Sequence, residues 1–217
     1  MAVIFPRWTN SIPLAIGLAG PIVLGSVVFA IWYWGSPKFT DVGYAPTQPV
    51  PFSHQLHAGA MAMDCRYCHN AVERGAGSAV PPTATCMNCH SKVLTDSPRL
   101  AKVRESWETG KAVEWVRVHM LPDYAFFNHS VHLAAGVGCA SCHGRIDQMA
   151  VVAQAEPLSM GWCLECHRNP APHIRPPDVS VTDMEWEPDF SKVDANPPSR
   201  TGGRPVVPPE HCSGCHR

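Results

Sequence analysis

The sequence lacks an excess of charge of either sign. Its 217 residues carry 17 Lys and Arg against 18 Asp and Glu, a formal net charge of −1. A nucleic-acid binder needs a basic surplus, and a solvated interaction tail needs a run of like charge; neither is present. Aliphatic side chains are scarce beyond the first 35 positions. A chain so built does not close an ordinary hydrophobic core, so apolar volume and cross-links must come from elsewhere. Convincing strand alternation is also missing, although Val113 to His119 (VEWVRVH) allows a short extended piece.

What is abundant is cysteine, histidine and proline: ten, twelve and 22 residues. The cysteines fall into five pairs, each followed by histidine: Cys65-Cys68-His69, Cys86-Cys89-His90, Cys139-Cys142-His143, Cys163-Cys166-His167 and Cys212-Cys215-His216. None is left over. Cys-x-x-Cys-His is the attachment pattern of c-type haem, in which the thiols form thioethers and the imidazole reaches iron from one face. Five disulfides would not require His at the same offset five times. Zinc takes Cys and His, but the adjacent His suits haem better than a tetrahedral site. The expected cofactors are five covalently bound haem c.

Pro13 to Trp34 runs 22 residues without a charge. At about 1.5 Å per residue it spans a hydrocarbon layer of roughly 30 Å. Trp8 precedes it and Trp32, Tyr33 and Trp34 close it, as rings at the two interfaces do. A cleaved signal has a shorter apolar region of about 7–15 residues and a small-residue cleavage site, so an uncleaved anchor is expected. Arg7 and the amino terminus place the amino end inside, and covalent haem attachment places the rest outside the cytoplasm.

The expected organisation is a transmembrane anchor at 1–35, a linker at 36–51 and a first di-haem module at 52–94. A connecting helix and loop follow at 95–126, then a second di-haem module at 127–170. Residues 171–217 form a Pro-rich wrapping segment with the terminal haem. The modules rest on an internal repeat: FSHQLHAGAMAMDCRYCH (Phe52 to His69) matches FNHSVHLAAGVGCASCH (Phe127 to His143), with one residue inserted in the first copy. Between them Ser97-Pro98 opens a helix that Gly110 stops after Thr109, with Leu100, Val103 and Trp107 on one face. The proline-rich runs after Asn169 and Asn196 read either as wrapping on a partner surface or as surface loop. The fold class is mostly irregular with short α-helices, a multihaem cytochrome c built around five haems plus one N-terminal transmembrane helix.

Each repeat carries Phe-x-His-x-x-His, giving His54, His57, His129 and His132. Four free imidazoles for the four haems of two modules make these the second iron ligands, since i and i+3 share a helical face. A six-coordinate iron passes electrons, whereas an open one binds small molecules. For the fifth haem the candidate is His119. Met149 and Met160 are alternatives that would raise the potential, or gap-fillers. His173 and His211 are expected in solvent.

The paired F-x-H-x-x-H elements resemble the class III multihaem cytochromes. The runs WVRVHMLPDYAFFNHSVH (Trp115 to His132) and QAEPLSMGWCLECHRNP (Gln154 to Pro170), with the anchor and the five motifs in this order, resemble the pentahaem cytochrome subunit of bacterial alternative complex III. That resemblance implies a bacterial cytoplasmic membrane location with the haem domain on the periplasmic side. It also implies partner subunits: an iron–sulfur subunit, polytopic quinol-binding membrane subunits and a monohaem cytochrome c. Quinol would be oxidised in the membrane subunits, and electrons would pass on to a soluble carrier or terminal oxidase. Catalytic residues are then expected to be none. The alternatives are a stand-alone membrane quinol dehydrogenase, for which the 30 residues between Trp34 and Cys65 are awkward, and a multihaem reductase, which needs an open iron.

Overall fold

A computed structural model describes residues 4–189, 191, 194, 197–200 and 202–216. Asn196, where the second proline-rich run begins, and the terminal residues Met1 and Arg217 lie outside them.

The apolar run forms α1, Ile12–Trp34, entered through a 3₁₀ turn at Arg7–Ser11. Pro13 suits the first turn because its missing N–H has no intrahelical partner there. Pro21 lies inside, and Gly35 caps the end. The most apolar 18 residues within Arg7–Trp34 have a mean hydropathy of 2.3 and none of them is buried, so this part is apolar all round, as a lipid-facing helix is. Among the described residues it is the one helix long and apolar enough to cross a membrane.

Ser36-Pro37 starts α2, Pro37–Thr40, and the stretch after it is tied to the backbone at Gln154 and Val116. Gly43 N–H donates to Gln154 O at 2.8 Å and Gln154 N–H returns to Tyr44 O at 3.0 Å. The Gln48 amide bonds both backbone groups of Val116, at 2.9 and 3.0 Å.

Short helices then carry the motifs: α3, Cys65–Cys68; α4, Thr83–His90; α5, Ala101–Thr109; α6, His129–Ala135; α7, Ala140–His143; α8, Met160–Arg168; and α9, Cys212–Cys215. Helix α5 follows a 3₁₀ turn at Pro98–Leu100 and stops at Gly110, whose φ of 69° suits a residue without Cβ. Its buried residues are Val103 and Ser106, and Ser106 Oγ meets Thr83 Oγ1 at the start of α4 at 2.6 Å. Trp107, one turn after Val103, is 55 % exposed. Val113 to His119 forms no strand, nor does any other stretch of the described residues, where bridges are isolated: Ala125 with His216, Val137 with Ile174, Pro198 with Pro205.

The two repeat copies differ where the inserted residue falls. The second copy makes an ordinary α-helix, α6, whereas the first makes a π-helical turn at Gln55–Ala60. A π turn holds one more residue per turn than an α turn, so it absorbs the insertion without moving the histidines off their start.

The segment after Asn169 packs on its own chain. Ile174, Arg175 and Val181 are buried. Arg175 N–H bonds Gly136 O at 3.0 Å, Cys139 N–H bonds Val181 O at 3.0 Å, and the Arg175 guanidinium lies 5.1 Å from the Trp186 ring. The buried apolar residues are Val50, Val103, Val118, Ile174 and Val181, and no described side chain falls below 2 % exposure. The accessible surface is 15052 Å², against roughly 10,000 Å² for a compact chain of this mass. These residues frame sites; they do not fill a core.

Candidate functional site

Each Cys-x-x-Cys-His occupies one helical turn, so both thiols share a face. The turn is closed by a bond from the histidine N–H to the first cysteine's carbonyl: His69 to Cys65 at 2.9 Å, His143 to Cys139 at 3.0 Å, His216 to Cys212 at 2.8 Å. Asp64 caps the first of these turns by accepting from Arg66 N–H, and Ser159 caps α8 through Trp162 N–H. Burial pushes the Cys68, Cys86, Cys163 and Cys166 thiols up. Cys142 goes up to about 12, from burial and then the neighbouring Cys166 and Cys163.

The imidazoles are set by their Nδ1 atoms. Seven of them face backbone carbonyls: His57 to Ser53 at 2.9 Å, His69 to Ala79 at 2.9 Å, His90 to Val93 at 3.0 Å, His129 to Ala76 at 2.7 Å, His132 to Asn128 at 2.8 Å, His167 to Pro209 at 2.7 Å and His216 to Tyr124 at 3.1 Å. A carbonyl only accepts, so Nδ1 carries the proton and Nε2 presents its lone pair. Metal-bound imidazoles are held in this way. Buried His54 Nδ1 has no partner. Burial, then the charges of His69 and His57, holds His54 down to about 4. Burial, then His119 and His129, holds His143 down to about 3. Both rings are neutral at neutral pH, as a ligand must be.

Three repeat histidines face a motif histidine. His57 and His90 have ring centroids 6.3 Å apart, His129 and His143 6.5 Å, and His132 and His167 6.1 Å. Two imidazoles on opposite sides of one metal ion, each bonded at about 2 Å, have centroids about 6 Å apart. The donor set therefore fits haem iron held from both faces: facing pairs, not the closed sets of three or four that zinc takes.

The phenylalanine of each repeat separates its two imidazoles. Phe52 lies 4.9 Å from His54, edge-on, and 4.4 Å from His57, stacked; Phe127 lies 4.7 Å from His129 and 4.6 Å from His132. Sequence reasoning quoted these residues without giving them a role. Their signal was recurrence at the same offset in both copies.

The motifs also have fixed neighbours. Asn88 amide donates to Tyr67 OH at 3.1 Å, joining the second motif to the first. Thr182 Oγ1 donates to Asp64 at 3.2 Å, beside the Val181 carbonyl that holds Cys139, so first and third lie together. The Cys65 and Cys139 sulfurs lie within hydrogen-bonding reach of each other. Helix α6 sets His129 6.5 Å from the third motif's His143 and His132 6.1 Å from the fourth motif's His167. His167 bonds Pro209 O, and Arg168 lies 3.8 Å from Glu210, next to the fifth motif.

The remaining candidates scatter. His119 lies against His143, with Nε2 3.4 Å from His143 Nδ1. Met149 lies near Gly144, and its carbonyl accepts from Gln55 N–H at 3.0 Å. Met160 is 66 % exposed. His173 and His211 are exposed.

The chain is similar to a multihaem cytochrome c. The similar protein is the menaquinone reductase, multiheme cytochrome c subunit, of Nitratidesulfovibrio vulgaris (strain Hildenborough), 37 % identical over 136 residues. The match covers 62 % of this chain and 63 % of the relative, so the chain spans less than two thirds of that protein's length. No family model matches. The likeness supports a multihaem cytochrome and does not reach the finer resemblance to alternative complex III.

Proposed function

We propose that this chain is a membrane-anchored c-type cytochrome with five haems that relays electrons inside a quinone-linked membrane complex. The carrying observation is the set of three facing imidazole pairs at 6.1–6.5 Å, each joining a motif histidine to a repeat histidine. Bound haem c supplies reversible one-electron exchange at its iron. The chain does the rest. Cys65, Cys68, Cys86, Cys89, Cys139, Cys142, Cys163, Cys166, Cys212 and Cys215 hold the cofactors covalently. His69, His90, His143, His167 and His216 would each ligate one iron. His57, His129 and His132 would ligate the same irons as His90, His143 and His167. His54 would share an iron with His69, whose charge it already feels. Irons held by two imidazoles would pass charge and hold no substrate.

The neighbour contacts support a line in the order second, first, third, fourth, fifth motif. Helix α1 supports anchoring in the cytoplasmic membrane with the motifs outside. The two sequence runs support a role of the alternative complex III type, with quinol oxidised in neighbouring membrane subunits and electrons leaving for a carrier or oxidase. The second reading is favoured by the relative's name, menaquinone reductase: the same line then delivers electrons towards quinone.

The test is to solubilise the native membrane mildly, purify the chain with its company, and count haem per polypeptide. Five covalent haems are expected, those of the first four motifs low-spin and unreactive to carbon monoxide when reduced, with membrane and iron–sulfur subunits alongside. Fewer haems, or a large CO-binding fraction, sinks the relay. Reduction of the haems by added quinol selects the first direction; oxidation of reduced haems by added quinone selects the second.

A further inference from the structure

Four of the five motif histidines point Nδ1 at a backbone carbonyl: His69 at Ala79, His90 at Val93, His167 at Pro209 and His216 at Tyr124. His143 points its Nδ1 at a side chain instead, Nε2 of His119 at 3.4 Å, with the rings edge to face and centroids 4.5 Å apart. The ring of His129 lies parallel to that of His143, with centroids 6.5 Å apart. His143 thus has two imidazole neighbours with different relations to it. His129 is at the spacing of a partner across an iron. His119 is too near, and meets the edge of the ring away from the iron-binding nitrogen.

We infer that His119 is a positioning residue for His143 and not an iron ligand. The inference rests on the bis-histidine reading above. If His143 Nε2 binds iron, Nδ1 must carry the proton and donate it, so His119 Nε2 accepts. That lone pair is then engaged and is not free for a metal. His119 is itself held: its carbonyl accepts from Arg117 Nε at 3.1 Å, and the preceding Val118 is buried. An acceptor on Nδ1 raises the basicity of the coordinating ring. It favours the ferric state, so removing it raises the midpoint potential of the iron His143 holds. A side-chain acceptor also differs from a carbonyl in being replaceable by mutation, which makes the third motif the one whose ligand field is open to this test.

The experiment uses the haem-loaded full chain in its complex, as wild type, His119→Ala and His119→Gln. Haem is first located by mass on the peptide holding Cys139 and Cys142. Absence of haem there overturns the bis-histidine reading and this inference together. With haem present, His119→Ala is expected to leave the low-spin, carbon-monoxide-silent fraction as it is in wild type, and to shift one component of the redox titration upward. His119→Gln, which restores an acceptor without an imidazole, is expected to return that component towards wild type. If one haem becomes high-spin and CO-reactive in either variant, His119 is a ligand and the inference falls while the bis-histidine reading stands. An unmoved titration in His119→Ala overturns it too. Should His119→Ala not accumulate, His119→Gln decides alone: a low-spin, CO-silent fraction as in wild type supports positioning, and an added high-spin haem overturns it.

Discussion

A carbonyl oxygen on Nδ1 decides what a histidine can do, because it fixes the tautomer and frees Nε2. Those oxygens come from Ser53, Ala76, Ala79, Val93, Asn128, Tyr124 and Pro209, residues with nothing in their side chains to mark the task. Candidate ligands can therefore be named from the sequence, whereas their orientation cannot. The pairings were hidden for the same reason: His57 and His90 are 33 positions apart, and only the folded chain brings them face to face. The prediction at this scale is that His129→Ala opens one iron. One haem in five becomes high-spin and binds carbon monoxide, read by difference spectroscopy of the reduced protein. His173→Ala, at an exposed position, leaves the spectrum unchanged. A second prediction concerns Asp64. Hydrogen bonds from the Arg66 side chain, then its backbone, hold this carboxyl down to about 2. Its folded value is below the usual 3.8, so its stabilising contribution is complete above about pH 4 and is lost as pH falls towards 2. Asp64→Asn keeps the cap and removes the charge. The gap in melting temperature between it and wild type should be largest near neutrality and close between pH 4 and 2.

Elements carry the motifs in two ways. A single helical turn is enough for Cys-x-x-Cys-His, which is why a short local pattern announced it. The π turn at Gln55–Ala60 was visible only as a one-residue misalignment between repeats, and its meaning needed backbone geometry. Glycines mark where elements meet closely. A Cβ on Gly138 would clash with the Arg175 guanidinium, and one on Gly59 with the Asp147 carbonyl oxygen. Sequence reading took neither as special, because the atoms they avoid come from distant segments. Gly138→Ala must expel a buried guanidinium that stacks on Trp186 and bonds Ser180 O at 2.5 Å. The expected cost is about 1–3 kcal/mol. Thermal unfolding of the haem-loaded protein checks this, together with faster proteolysis of residues 171–186, the segment that Arg175 pins to the third motif.

At the scale of the whole molecule, scarcity of aliphatic residues forecast the thin core correctly: five small apolar side chains are buried in the described residues. What scarcity did not reveal was connectivity. The segment beyond Asn169 returns to the third motif through Cys139 and Val181, and then runs on to place Pro209 against His167. Chain order and spatial order therefore differ, and the first and third motifs are neighbours although the second intervenes in sequence. This makes the line testable by cutting it. Replacing Cys139 and Cys142 with Ala removes the middle place, whereas replacing Cys212 and Cys215 removes an end. If the order is second, first, third, fourth, fifth, the middle variant separates two haems on one side from two on the other. Rapid reduction from one end should then stop at about half of the remaining haem absorbance and complete slowly. The end variant leaves four neighbours in contact, so its remaining absorbance should change in one fast phase. Equal kinetics in the two variants would mean that the third motif does not bridge the halves. The contacts of Thr182 with Asp64, and of His129 with the Ala76 carbonyl, would then be structural ties without a place in the relay.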